Sequence, residues 1–319
     1  MPPPIALSTC WNSPRHTDGY EMLAEIAALG FEYAELSHGI RLSLVPGIVR
    51  ALEEKLVRIR STHNFCPLPP GVNTASPNLF LPTTRDETQA RQWERYTRRS
   101  IDFARQVGSS ILVTHMGALT HGWINPARRV ARLTEVRRPT ERDIDRLQEA
   151  TRDALPRIAR QRGDAMDRLV ARIGSVLDHA RAAAVTIGAE NREKIDELPL
   201  DADMLSFLEQ FPSDANIAYW HDVGHAHLKE KMGLIRHDEH LQAHGHRLAG
   251  FHLHDVIGFK DHMPPGTGEV DFAMIARHVR PHHVLVLELN PRLAPAEVVE
   301  SRDFLSGVLS RTPPNGAPG

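Results

Sequence analysis

The sequence has few of the residues that mark several large classes of protein. Its 319 residues include only two cysteines, Cys10 and Cys66, too few for a disulfide framework or a thiolate metal cluster. No apolar run reaches membrane-spanning length, and the first ten residues lack the basic start and long apolar core of a signal peptide. We therefore expect a cytoplasmic protein with no membrane partner.

Neither sign of charge is in excess, since 38 basic residues face 40 acidic ones. Binding to a phosphate backbone depends on surplus positive charge, so nucleic acid is not the expected partner. Hydrophobic residues make up 41% of the chain, which is enough for an ordinary core. The residue present in unusual number is histidine, at 19, and ten of these lie between His221 and His262.

Apolar runs that fit buried strands alternate with segments of helical spacing along most of the chain. Strands are predicted over residues 5–10, 31–37, 57–63, 110–115, 185–190, 216–222, 249–255 and 283–289. Helices are predicted over residues 18–29, 44–56, 86–107, 165–184, 202–210, 239–248, 272–279 and 295–309. This order predicts an α/β fold, a (β/α)₈ TIM barrel forming one domain over residues 1–311, with a flexible tail over residues 312–319.

The alternation is interrupted at residues 117–163, a stretch too long for an ordinary connection. Helical spacing over residues 140–160 predicts an inserted helix after the fourth strand, kinked or capped near Pro156. Five arginines precede it, namely Arg128, Arg129, Arg132, Arg137 and Arg138. The segment is either a lid whose arginines bind an anionic substrate or a surface that packs on a second subunit, so a homo-oligomer is left open.

Six predicted strands carry metal-binding side chains at or near their carboxyl ends, namely His63, His115, Glu190, Asp222, His252 and Glu288. Active sites of TIM barrels lie at this end of the strands, so we expect these side chains to converge. Carboxylates mixed with imidazole suit Mn²⁺, Mg²⁺, Co²⁺ or Zn²⁺. Such an ion polarises a substrate carbonyl, and a nearby carboxylate can then act as a base.

The two glutamates have an alternative interpretation, a salt bridge inside the barrel, but no predicted strand places a cation opposite them. His225, three residues after Asp222, can turn back over the barrel mouth. His221 and His227 are assigned to support or to the surface, and Glu35 and His38 are weaker candidates.

The motifs AENR, HDVGHA, HLHD, DHMPPGTGEVDF and VLELN, in this order and spacing, resemble the xylose-isomerase-like barrels. This superfamily comprises sugar (phosphate) isomerases and epimerases and also includes zinc-dependent apurinic endonucleases. The resemblance implies one divalent ion held by Glu190, Asp222, His252 and Glu288. His252 is preferred over His254 because the family's histidine stands three residues before an acid. It further implies that Glu190 and Glu288 form the acid/base pair and that His225 contacts the substrate.

The endonuclease branch carries further ligands, two of which match His63 and His115. Its Asp-x-His pair is matched only by His262, because the aspartate position is Lys260 and Asp261 stands one residue late. We therefore assign the remaining mouth residues to substrate binding: His63, His115, His225, His254, Lys260 and His262.

The expected function is a divalent-metal isomerase or epimerase acting on a small carbohydrate-like substrate, namely a keto-sugar, sugar phosphate or related polyol. Two alternatives stay open on the same barrel. One is a metal-dependent apurinic endonuclease or phosphodiesterase, and the other is a sugar-acid dehydratase or lyase.

Overall fold

A closed barrel of eight parallel strands forms the centre of the structure, a computed structural model that describes residues 2–312. The strands are β1 (Ile5–Ser8), β2 (Tyr33–Leu36), β3 (Arg58–His63), β4 (Ile111–Thr114), β5 (Thr186–Glu190), β6 (Ile217–Asp222), β7 (Leu248–Leu253), β8 (Asp255–Ile257), β9 (Lys260–Met263) and β10 (Val284–Leu287). Strands β1 to β7 follow chain order around the barrel, and β10 closes it between β7 and β1. The predicted TIM barrel is confirmed, while the predicted tail lies outside the described residues from residue 313 onward.

Helices cover the outside of the barrel. They are α1 (Gly19–Ala28), α2 (Val45–Glu53), α3 (Glu87–Gln106), α4 (Arg128–Leu133), α5 (Glu141–Gln161), α6 (Gly163–Ala182), α7 (Met204–Glu209), α8 (Val223–Lys231), α9 (His237–His244), α10 (Phe272–His278) and α11 (Pro295–Arg311). Asp18 and Asp86 start α1 and α3 by accepting hydrogen bonds from backbone N–H groups of the first turn. Within residues 2–312, no helix combines the length and apolarity needed to span a membrane.

Several elements of the structure are absent from the sequence-based prediction, among them the short helix α4. Helix α8 begins directly after β6, where no helix was predicted, and β8 and β9 form an antiparallel hairpin in a segment for which neither strand nor helix was predicted. The inserted helix α5 continues past Pro156 to Gln161, so the proline does not cap it. Buried Leu147, Ala154 and Ile158 hold α5 against the core on both sides of the proline.

The side chains that face the barrel interior are apolar at its floor and polar at its mouth. The floor residues are Ala6, Ile111, Val113, Trp220, Val284 and Val286. Gly250 makes room for the indole, since a Cβ there would lie 2.5 Å from Cζ3 of Trp220. Residues two apart on a strand share a face, so Asp222 follows Trp220 and Glu288 follows Val286 at the mouth.

Candidate metal centre

Four buried side chains from four strands meet at the barrel mouth: Glu190, Asp222, His252 and Glu288. Each offers a ligand atom, and these atoms lie within 4.8 Å of one another. Nδ1 of His252 lies 3.0 Å from Glu190 Oε1, 3.1 Å from Glu288 Oε2 and 3.7 Å from Asp222 Oδ2. Three carboxylates gathered around one imidazole nitrogen form a donor set that fits a divalent ion such as Mn²⁺, Mg²⁺, Co²⁺ or Zn²⁺.

The ring of His252 is oriented by a carboxylate on its far side. Nε2 of His252 lies 3.1 Å from Glu35 Oε2, and Glu35 accepts hydrogen bonds from Ser8 Oγ at 2.9 Å and Ser61 Oγ at 2.7 Å. Glu35 therefore holds the ring so that Nδ1 faces the other three carboxylates. Burial lowers the pKa of His252, but Glu288 and Glu35 outweigh burial and raise it well above its usual value.

Asp222 has two roles at the start of α8. Its Oδ1 accepts a hydrogen bond from the backbone N–H of His225 at 2.7 Å and so caps the helix, while its Oδ2 lies 3.0 Å from Nε2 of His254. The side chain of Asn191 pairs with the backbone N–H and C=O of Asp222, at 2.7 and 2.9 Å. Asn191 thus fixes the end of β6 against the end of β5, a role the sequence reasoning missed.

An arginine also lies beside Glu190, although no predicted strand carries a cation opposite it. Nη1 of Arg192 is 3.2 Å from Glu190 Oε2, and the same guanidinium bridges Glu193 and Glu197. This ion pair was not predicted because the cation lies two residues beyond the strand and folds back over its end. Burial raises the pKa of Glu190, but Arg192 and His115 outweigh burial and hold it well below its usual value. Glu190 is therefore an ionised carboxylate.

His63 and His115 lie on the other side of Glu190. Their Nε2 atoms are 3.5 and 3.0 Å from Glu190 Oε2, and the three side chains form a second group able to hold an ion. His115 is oriented by Asn78, whose Oδ1 lies 2.8 Å from its Nδ1. Burial, with Arg192 nearby, lowers the pKa of His115 to about 3, so its imidazole is neutral.

His254 and His262 stack at the rim, with ring centroids 4.3 Å apart. Nδ1 of His254 accepts a hydrogen bond from the backbone N–H of His262 at 3.0 Å. Gly224 permits this arrangement, because a Cβ there would lie 2.1 Å from Cε1 of His254. Nε2 of His262 is 3.6 Å from Glu288 Oε2, and its Nδ1 is 3.1 Å from Asp261 Oδ1. The β8–β9 hairpin therefore brings Asp261 to the mouth.

The loop after the hairpin is ordered by Asp255. Its carboxylate accepts hydrogen bonds from four backbone N–H groups, those of Val256, Gly266, Gly268 and Val270, at 2.8 to 3.0 Å. A Cβ at Gly268 would lie 2.3 Å from the carbonyl oxygen of Val256. Asp255 therefore fixes the loop beside the mouth and takes no part in the ligand set.

The mouth opens into two cavities that share Asp261. One, of about 720 Å³, is lined by Ser37, His38, Lys260, Asp261, His262, Glu288 and Asn290 among others. The other, of about 650 Å³, is lined by Asn78, Val130, Glu193, Glu197, Phe259 and Asp261 among others. Lys260 is exposed and lines the first cavity. His38 lines it too and is half-buried, and its buried Nδ1 atom has no hydrogen-bond partner within residues 2–312.

Arg128, Arg129 and Arg132 of the inserted segment line neither of these cavities, whereas Arg137 and Arg138 line a third cavity together with Lys260 and Asp261. Arg128, Arg129 and Arg132 are exposed, and Arg129 pairs with Glu149 at 3.2 Å and Asp153 at 3.6 Å. The face of α4 that lines a cavity presents Val130. The structure therefore gives no support to the hypothesis that these three arginines bind an anionic substrate.

The family model described as "Xylose isomerase-like TIM barrel" matches residues 23–307. A D-tagatose 3-epimerase-like protein superposes with a TM-score of 0.67 at 17% identity, covering 97% of each chain. An L-ribulose 3-epimerase has a TM-score of 0.66 at 16% identity, covering 97% of this chain and 95% of the other. A 3-keto-D-glucoside 4-epimerase from E. coli has a TM-score of 0.66 at 14% identity, covering 96% and 99%. No curated protein matches the sequence significantly.

Proposed function

The chain belongs to the xylose isomerase-like TIM barrel family, and on that premise we propose that it is a divalent-metal-dependent isomerase or epimerase. The substrate class is a keto-sugar, sugar phosphate or related polyol. The observation that carries the proposal is the meeting of Glu190 and Glu288 at one nitrogen of His252, with Asp222 beside them. Structural neighbours that are sugar 3- and 4-epimerases support the same class.

Glu190, Asp222, His252 and Glu288 would hold the ion. A bound divalent ion would polarise a substrate carbonyl and acidify the neighbouring C–H group. Glu190, kept ionised beside Arg192, is placed to remove that proton. Glu288 lies 3.6 Å from Nε2 of His262. Burial lowers the pKa of this imidazole, but Asp261 and Glu288 outweigh burial and raise it well above its usual value. Glu288 thus has a proton source for returning a proton to the substrate.

The cavity of about 720 Å³ suits a small polyhydroxylated ligand. Its polar lining alternates hydroxyl, imidazole, amide and ammonium groups from Ser37, His38, Asn290 and Lys260. These groups can hydrogen-bond to several substrate hydroxyls at once, and Glu288 and His262, which line the same cavity, would face the reacting carbons.

The test is turnover in D₂O with a panel of ketoses and sugar acids. The protein is stripped with a chelator and reloaded separately with Mn²⁺, Co²⁺, Mg²⁺ or Zn²⁺. We expect deuterium to be incorporated at the substrate carbon next to the carbonyl only with reloaded protein. An epimer or isomer of the substrate should form in the same reaction. Full-rate turnover of the stripped protein, or product formed without any solvent deuterium or proton exchange, would contradict the proposal.

A second candidate is a metal-dependent phosphodiesterase acting on abasic DNA. The observation that favours it is the presence of three further ligand groups at the mouth, namely His63–His115–Glu190, Asp222–His225–His254 and His254–His262–Glu288. Metal analysis separates the candidates, since one mouth ion per chain favours the isomerase and three zinc ions favour the phosphodiesterase. Cleavage of an abasic oligonucleotide by the zinc-loaded protein is the direct assay.

A further inference from the structure

Behind strand β6, outside the barrel, lies a second group of histidines that the proposed reaction does not use. This outer cluster consists of Tyr219, His221, His237, His240 and His244, all buried. The Tyr219 hydroxyl lies 2.8 Å from Nδ1 of His221 and 3.0 Å from Nε2 of His240. Nε2 of His221 lies 2.8 Å from Nε2 of His237. The ring atoms thus form a continuous chain of hydrogen bonds that ends at His237.

His237 is also the meeting point of a ligand set. His227, Glu230 and His237 each offer a ligand atom, and these atoms lie within 4.8 Å of one another. His227 and Glu230 are three residues apart on α8 and so share one face of that helix, while His237 is the first residue of α9. Oε1 of Glu230 accepts a hydrogen bond from the backbone N–H of His237 at 2.8 Å, which fixes the carboxylate beside that imidazole.

One atom of this set has an unused hydrogen-bonding capacity. Nε2 of His227 is buried and has no hydrogen-bond partner in the part of the chain that the structure describes. A buried polar atom without a partner costs free energy that a bound ion would recover.

We propose that His227, Glu230 and His237 bind a divalent ion of the zinc type at a site separate from the barrel mouth. Two imidazoles and one carboxylate are a common three-residue zinc set, with water in the fourth position. Glu230 is exposed, so this position is open to solvent. Imidazole ligands favour zinc over the Mg²⁺ and Mn²⁺ that an oxygen-rich mouth accepts.

The outer cluster supplies the outer shell that such a site needs. Because Nε2 of His237 faces His221, Nδ1 is the nitrogen left for the ion. Nε2–H then donates to Nε2 of His221, Nδ1–H of His221 donates to the Tyr219 oxygen, and Tyr219 donates to His240. All three hydrogen bonds run in one direction away from the ion. A ligating histidine commonly donates its second N–H in this way.

The ion would tie α8 to the beginning of α9. Helix α8 carries His225 to the mouth on its first turn and carries His227 and Glu230 further along. The proposed site therefore stabilises the helix that positions His225 while adding no ligand to the mouth.

The experiment is equilibrium dialysis of the full chain against Zn²⁺ alone, with bound metal counted by mass spectrometry. We expect H227A and E230A each to lose one zinc ion per chain, with an affinity at that site about 100-fold weaker or more. H246A is the matched control, because His246 is an exposed histidine outside the set, and it should bind as the wild type does.

Unchanged zinc stoichiometry and affinity in both H227A and E230A would overturn the proposal. His237 is buried and H237Q can fail to fold, so the result depends on the other two variants. The combined variant E190Q/E288Q keeps the count independent of the mouth. It should lose affinity at the mouth and keep the outer ion, and loss of all zinc from it would also overturn the proposal.

Discussion

Strand β6 separates two groups of histidines with opposite surroundings. On its inner side, Asp222 faces the mouth, where His252 and His262 each lie within 3.1 Å of a carboxylate oxygen. On its outer side, His221 contacts another imidazole and a tyrosine hydroxyl, with no carboxylate among its hydrogen-bond partners in the described chain. His252 and His262 thus lie among anions, whereas His221 is hydrogen-bonded to uncharged groups.

The difference is visible in the proton affinities. Burial lowers the pKa of His262, but Asp261 and Glu288 raise it well above its usual value. Burial lowers the pKa of His221 well below its usual value, and the neighbouring His237 and His240 lower it further. Neighbouring carboxylates outweigh burial at His262, whereas burial prevails at His221, so these two histidines differ in whether they carry a proton.

The largest expected effect tests the chemistry of the mouth. E190Q and E288Q keep the side-chain shape but remove the base, and we expect turnover to fall by about 10²–10⁴-fold. Metal content is measured on the same samples, because part of the loss can come from weaker ion binding. E54Q, an exposed glutamate, is the control. Near-normal turnover in both mouth variants would remove proton transfer from the mechanism.

The next effect tests whether the mouth carboxylates depend on their cation. R192M leaves Glu190, Glu193 and Glu197 without their shared partner, so we expect a loss of about 3 kcal/mol or more in the free energy of unfolding. Urea unfolding of the metal-free protein measures it.

R129M is the matched control for R192M. Arg129 also bridges two carboxylates, but its side chain is 57% exposed, so a change within about 0.5 kcal/mol is expected. Equal losses in the two variants would show that Arg192 has no special role at the mouth.

A smaller effect tests the neutral state of the outer cluster. Burial lowers the pKa of His240 to about 4, whereas an unfolded histidine titrates near 6.5. The unfolded chain therefore takes up the proton first, and stability that is fully present above pH 6.5 is lost as the pH falls toward 4. At about pH 5 this costs roughly 2 kcal/mol. The groups that face His240 are Tyr219, His221, His244, Asp201 and Lys229.

Urea unfolding at about pH 7 and pH 5, with chelator present, measures this loss. H240Q should reduce the difference between the two pH values by roughly 2 kcal/mol. The same pH dependence in H240Q and in the wild type would show that His240 does not hold its neutral form by burial.

The smallest expected effect tests whether the outer cluster takes part in catalysis. Y219F removes only the hydroxyl that joins His221 to His240, and we expect a loss of about 1–2 kcal/mol in stability with turnover unchanged. Y20F, which removes a hydroxyl that contacts Glu54 at the surface, should change stability by less than about 0.5 kcal/mol. A fall in turnover on Y219F beyond the fraction unfolded would break the distinction between the two regions.

The barrel and the strand-end residues could be predicted because parallel strands repeat one rule. Apolar runs separated by helical spacing predict the strands, and the carboxyl ends of such strands meet. Glu190 and Glu288 were therefore placed at one mouth without any contact being known. The alternation of side chains along β6 could also have been predicted from the sequence. It would have shown that His221 faces away from Asp222.

Arg192, Asn191 and α8 were missed for a different reason. The sequence-based prediction considered only cations on the strands. Arg192 instead reaches Glu190 from the loop that follows β5. Helix α8 starts where Asp222 accepts a hydrogen bond from the backbone N–H of His225. The segment HDVGHA allows this bond, but the spacing of its apolar residues does not indicate a helix. The sequence did contain a signal for this helix start, because an aspartate three residues before the histidine has the spacing of a helix N-cap.

The alternation of β6 has a consequence for insertions and deletions. Because its side chains point alternately inward and outward, gain or loss of one residue between Tyr219 and Asp222 would exchange the two faces. The carboxylate would leave the barrel, and a histidine would enter it. Gain or loss of two residues would keep each face and only shift its depth. Viable length variants of this strand should therefore differ by even numbers, and the mouth and the outer cluster should be inherited together.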